Sequence, residues 1–254
     1  MVETHVNGIP IVQSWSHGRA VGVVDIPLGG GHSPVGLRYV RADSVAADPE
    51  VDSLVQRVIS AVAEEMARPI AQIAEPLRRS GREHALGHLI ADAQRAAGTA
   101  DFAVMNNGGI RAELAAGQAT YGRFFEIQPF GNTLHRLTVR GRDLRAYLER
   151  LVGRETLNAH ISGATVVYAP ARPAGSRLVS VRMADGRPLR DDAMYTMVLS
   201  NFLLSGGDGL GLGAEAVRNE SIPGTDLDAL IAYVRAQPQP LRVPFEPRLV
   251  AALP

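Results

Sequence analysis

The chain is 254 residues long, with 46% hydrophobic and 20% charged residues, a balance that belongs to a folded globular protein rather than a disordered one. Its 26 basic residues, all arginine, meet 26 acidic ones, so the formal net charge is zero and no electrostatic surplus favours nucleic acid or an anionic membrane. Without lysine there is no Schiff base or P-loop, and without cysteine no disulfide, thiolate nucleophile or thiolate metal site.

The first residues, MVETHVNGIPIVQ, lack a basic run followed by an apolar one, and no stretch approaches the roughly 18 apolar residues of a membrane span. A soluble chain, cytoplasmic as written, is the expectation. Residues 9–13 and 20–26 read as short strands around a polar turn, followed by three glycines at 29–31 and a further strand at 36–40. Asp48, Pro49 and Glu50 then supply a cap, a first-turn proline and an acid suited to the helix dipole. Val51, Leu54, Val55, Val58, Ile59, Val62 and Met66 recur at helical spacing until Pro69 ends the pattern. Beyond it, strand-like runs at 70–77, 102–105, 134–139, 165–168, 177–183 and 195–199 mix with helical ones at 84–97, 142–152 and 227–237. That mixture predicts an α/β (α+β) domain.

Three glycine-rich loops fall within this domain: NNGGIR at 106–111, QPFGN at 128–132 and SGGDG at 205–209. Glycine is needed where φ is positive or where a ligand approaches the backbone, and the first loop follows a predicted strand, the usual place for a ligand loop. By spacing alone, Asn107-Gly108 and Asp208-Gly209 read equally as turns, and Phe130 and Phe202 as core aromatics.

Taken in order, the strings REHALGHLIADAQ from Arg82, ADFAVMNNGGIRAEL, TYGRFFEIQPFGNTL and SNFLLSGGDGL resemble the C-terminal domain of the 5'-nucleotidases, a family that includes UDP-sugar hydrolases and 2',3'-cyclic phosphodiesterases. The resemblance implies a mixed sheet with flanking helices over residues 70–254, a linker helix at 48–69, and at 1–47 the last strands of a metallophosphatase domain. It further implies that Phe130 and Phe202 sandwich a nucleobase, that Asp208 accepts from ribose hydroxyls, and that Asn106 and Asn132 make amide contacts. Arg111 would hold the phosphate or ribose side, where a guanidinium fork donates two parallel hydrogen bonds.

Three departures qualify the resemblance. Where well-known members carry a phosphate-binding arginine this chain has Ser80, flanked by Arg78, Arg79 and Arg82, and Arg82 joins the candidate contacts. His88 stands where many relatives have asparagine; His84 and His88 are four apart on a predicted helix, but no third ligand accompanies them. The strings DxH, GDxxD, GNHD or GNHE and GHxH, which hold the family's two divalent metals, are absent. The resulting expectation is the nucleoside- or nucleotide-recognition part of a metal-dependent phosphohydrolase, with no catalytic residue or cofactor of its own and no nucleic-acid or membrane partner. It would be inactive alone, or completed by a separately encoded metallophosphatase domain. A nonenzymatic nucleoside-binding module derived from the same fold is the alternative. The family is usually periplasmic, wall-bound or secreted.

Overall fold

The computed structural model describes residues 2–7, 9–15, 18–24, 37–153, 159–212 and 214–252. The chain divides into two compact units, Met1–Val62 and Ala63–Pro254, with the division inside one helix. In the first unit β1 (Val2–Val6) pairs antiparallel with β2 (Ile9–Gln13), and β3 (Ala20–Val24) with β4 (Leu37–Arg41). Asn7 turns the first hairpin at φ +51°, a conformation its short polar side chain tolerates. β1 is an addition to the sequence expectation. The glycines at 29–31 lie outside the described residues.

Helix α1 (Pro49–Ala67) begins as its cap residues dictate, with Asp48 Oδ1 accepting from the amides of Glu50 at 2.9 Å and Val51 at 3.1 Å. Its apolar stripe is uncovered: Val51, Leu54, Val55, Val58, Ile59 and Val62 are between 42% and 60% exposed.

The second unit is built on a five-stranded sheet in the order β13 (Arg218–Thr225), β8 (Thr133–Arg140), β12 (Met194–Ser200), β6 (Phe102–Asn106), β9 (Ala159–Ser162). All neighbours run antiparallel except β12 and β6, which are parallel with Met197 opposite Phe102 and Val198 opposite Ala103. Alternation along these strands feeds two cores. Phe102, Val104, Leu137, Val139, Met197 and Leu199 face α4 (Gly141–Val152) and a small sheet of β11 (Leu178–Met183), β10 (Ala164–Tyr168) and β14 (Leu249–Ala251). On the other face Met105 joins a core with α2 (Ala85–Ala97), α3 (Tyr121–Ile127) and α6 (Asp226–Arg235), alongside a two-stranded sheet of β5 (Pro69–Ile73) and β7 (Gly117–Thr120). The mixed α/β character expected from the sequence is present, with the strands of the five-stranded sheet that it predicted and helices α2, α4 and α6 displaced by only a residue or two.

The elements that sequence patterning missed have physical reasons for being illegible. β13 carries Pro223 and Gly224, which read as breakers, yet it is an edge strand, where a missing amide is tolerated. α3 starts with Tyr121-Gly122, where a glycine reads as a breaker, yet it lets the helix start pass close to the Met66 carbonyl oxygen, 3.0 Å from where a Cβ would sit. The strand expected at 70–77 stops at Ile73, beyond which a single bridge joins Leu77 to Leu114.

At Gly163, between β9 and β10, φ is +92° and a Cβ would sit 1.9 Å from the Asp101 carbonyl oxygen. Gly163→Ala therefore combines backbone strain with overpacking and is expected to lower unfolding free energy by about 2–4 kcal/mol in urea titration.

Candidate functional site

Because β6 and β12 are adjacent and parallel, the chain leaves both at the same sheet edge, and the 106–111 and 201–209 loops begin side by side there. Carboxyl ends of neighbouring parallel strands are where open sheets form ligand crevices. Asn106, buried at the end of β6, donates from Nδ2 to Asp208 Oδ2 at 2.8 Å, so the two loops are tied by their most polar residues. Gly108 lies beside this pair: a Cβ there would be 3.4 Å from Asn106 Nδ2 and 4.0 Å from Asp208 Oδ2.

Ser200 Oγ caps the short helix α5 (Asn201–Leu204) by accepting from the Leu203 amide at 3.3 Å, and leaves Phe202 44% exposed. The turn that follows packs under the ring. A Cβ on Gly207 would be 2.5 Å from both the Phe202 ring and its carbonyl oxygen, so only glycine fits. Gly206 at φ +102° and Gly209 at φ +64° bracket Asp208, itself at φ +51°. A left-handed non-glycine residue holding a polar contact is the kind of strained position that functional sites retain.

Phe130 reaches the same neighbourhood by another route. The Arg111 amide donates to the Ile127 carbonyl at the end of α3 (2.8 Å), which brings Arg111 against the 128–132 loop. Its guanidinium carbon lies 5.7 Å from the Phe130 ring centroid, within cation–π range, and Nη1 donates to the Gly108 carbonyl at 3.2 Å. Phe130 is 57% exposed, so the core reading that spacing allowed fails for both aromatics. The loop is anchored through Asn132, whose Nδ2 donates to the buried Asp226 carboxylate at 2.9 Å while its carbonyl accepts the Asp226 amide at 2.8 Å. Burial raises the Asp226 pKa above the ordinary carboxylate value, against the opposing hydrogen bond from Asn132.

These contacts link Asn106, Asp208, Arg111 and Phe130 into one cluster with Phe202 beside it. Arg82 is placed elsewhere: Nη1 donates to Tyr168 Oη at 3.2 Å, in a recess shared with Leu151, Ala159 and Phe245. Of the arginines beside Ser80, Arg79 reaches the loop, with Nη2 3.5 Å from the Asn107 carbonyl oxygen and its amide bonded to Glu113 Oε1 at 2.9 Å. Sequence reasoning also missed Asn107, whose side chain turns inward: Oδ1 lies 2.9 Å from His84 Nε2 and 3.4 Å from His160 Nε2. A turn-forming Asn-Gly dipeptide hides such a role.

Among the described residues no three histidine, aspartate or glutamate side chains converge to hold a metal. The His84 and His88 pair does not fit one either. His84 Nδ1 accepts the Gly87 amide and its Nε2 meets Asn107, while His88 Nε2 pairs with Glu83 Oε1 at 2.9 Å. No helix among the described residues is long and apolar enough to cross a membrane.

The family profile described as 5'-nucleotidase, C-terminal domain, matches residues 63–214, and the chain belongs to that family. Among curated proteins it is similar to endonuclease YhcR of Bacillus subtilis (strain 168), 31% identical over 261 residues that cover 99% of this chain and 21% of that protein. The 5'-nucleotidase of Vibrio cholerae is 26% identical over 230 residues, 80% of this chain and 40% of that one. The solved structure of a 5'-nucleotidase precursor from Thermus thermophilus superposes with a TM-score of 0.76 at 27% identity, over 96% of this chain and 52% of the other. The chain therefore spans between about a fifth and about half of the length of these relatives.

Asp208→Asn keeps an acceptor for Asn106 and a residue tolerant of positive φ, whereas Asp208→Ala keeps neither. Thermal denaturation should show the alanine variant about 1–2 kcal/mol less stable than the asparagine variant.

Proposed function

We propose that this chain binds a nucleoside or nucleotide at the 106–111, 128–132 and 201–209 loops, as the substrate-recognition part of a 5'-nucleotidase-type phosphate-ester hydrolase. The observation that carries this reading is two exposed aromatic rings beside a hydrogen-bonded amide–carboxylate pair, the buried Asn106 with the exposed Asp208. Phe130 and Phe202 offer faces for stacking a nucleobase, a contact worth about 1–3 kcal/mol per base whatever its identity. Asp208, an acceptor when ionised, takes hydrogens from ribose hydroxyls, and Asn106 and the Asn132 amide oxygen add polar contacts. Arg111 and one arginine of the 78–82 segment hold the anionic end. Arg79 at the loop and Arg82 at Tyr168 are the two candidates.

The names of the relatives, endonuclease and 5'-nucleotidase, have the nucleotide in common, which supports the same reading. In this reading these residues fix base and ribose, so that the phosphate is presented in one orientation, and the displacement at phosphorus belongs to the metal-binding part of the enzyme.

Calorimetric titration of adenosine into the chain in the presence of a chelator is expected to give saturable heat, lost in Phe202→Ala without a matching fall in melting temperature. No heat from a folded chain would refute the reading, as would chelator-resistant phosphate release from AMP at an ordinary enzymatic rate. In a second titration, Arg111→Ala should abolish the preference for AMP over adenosine. Of Arg79→Ala and Arg82→Ala, the variant that does the same identifies the second phosphate ligand.

A further inference from the structure

Three histidines are buried behind the 106–111 loop: His84 at the N-cap of α2, His88 within α2, and His160 on β9. His84 caps α2 with an imidazole, Nδ1 accepting the Gly87 amide at 3.0 Å. An accepting Nδ1 puts the proton on Nε2, which then donates to Asn107 Oδ1 at 2.9 Å. His160 Nε2 lies 3.4 Å from the same oxygen, its ring centroid 4.2 Å from that of His84. The His160 ring fits only because residue 87 is glycine, where a Cβ would come within 2.2 Å of it. Two imidazoles from two elements thus meet one amide oxygen of the loop that presents Asn106 and Arg111.

We propose that His84 and His160 are positioning residues for the nucleotide loop, holding Asn107 in register only while the His84 ring is neutral, so that ligand affinity falls on acidification. This inference rests on the function proposed above. Protonating His84 at Nδ1 replaces an acceptor with a donor facing the Gly87 amide donor, at the positive end of a helix dipole. The cap and the loop contact belong to one ring, so losing the first frees the second.

The charged surroundings resist that proton. His84 faces Arg79 from the preceding segment, His88 on its own helix, His160 on β9, and Glu113 from the segment after the loop. His160 faces His84, His88, Arg79 and Arg248. Glu83 is committed to His88 and to the amides of Arg248 and Leu249. Burial first, then these cations against the Asn107 hydrogen bond, holds His84 below its ordinary value of 6.5, and burial with the same neighbours holds His160 further below it. A folded-state value below the unfolded one gives stability that is present above pH 6.5 and is lost as pH falls from there towards the folded-state values.

The test is adenosine affinity against pH, because adenosine, unlike AMP, carries no group titrating between about pH 5 and 8. Affinity of the unmodified chain is expected to be level above about pH 6.5 and to fall about fivefold or more below it, down to the lowest pH at which the chain stays folded. His84→Asn keeps a strong N-cap but cannot span to Asn107, and should bind about fivefold more weakly at pH 7.5 with a flat pH profile. Asn107→Ala, which leaves the helix cap untouched, should do the same. Hydrogen exchange of the Ile110 and Arg111 amides, corrected for intrinsic rates, reports loop order without ligand. Their protection should fall over the same pH range in the unmodified chain only.

A flat profile in the unmodified chain, or an unchanged slope in both variants, would overturn the positioning role while leaving nucleoside binding intact. Absent adenosine binding with loop protection still pH-dependent would overturn the proposed function and the affinity claim, but not the histidine clamp.

Discussion

The parallel pairing of β6 with β12 is the constraint on which the site depends. Every other neighbour in the five-stranded sheet is antiparallel, and an antiparallel pair sends its two loops to opposite edges. The single parallel step puts the chain exits of Asn106 and Ser200 at one edge, close enough for Asn106 to bond Asp208 at 2.8 Å. Sheet topology, more than either loop's sequence, makes one site of two loops. The parallel pair in turn depends on burial from both sides, since β6 is covered along its whole length.

The loops also show how local strain is maintained by surrounding structure. Asp208 sits in a left-handed conformation between two positive-φ glycines, and Phe202 covers a glycine that can be nothing else. Neither arrangement is favoured by the isolated chain. Both persist because Ser200 caps α5, Asn106 holds the carboxylate, and the buried Leu203 and Leu210 lock the segment into the core from each side. The exposed rings are thereby presented on a rigid frame, which reduces the ordering cost of binding.

The third loop is secured differently, through a buried carboxylate. Asp226 draws hydrogen bonds from Asn132 and, at 3.4 Å, from Gln128, and sits at the start of a helix whose cap is a reciprocal Thr225–Asp228 box. An unpaired buried carboxylate is expensive, so these partners make the PFGN conformation hard to abandon. Loop, cap and helix are one cooperative element.

By itself the sequence determined the mixed α/β character, the start of α1 from Asp48-Pro49-Glu50, the core strands and longest helices, and, through its ordered strings, the family and the loops of interest. Those features are local: capping groups, apolar periodicity and glycine spacing act within a few residues. Only the tertiary structure decided that Phe130 and Phe202 are surface rings and not core, that Arg79 reaches the Asn107 carbonyl while Arg82 donates to Tyr168, and that Asn107 turns inward to two histidines. Each of those outcomes joins residues tens of positions apart, through strand order and helix packing that leave no periodic trace in the sequence. β13 was illegible for the same reason, because being an edge strand is a property of the sheet and not of the segment.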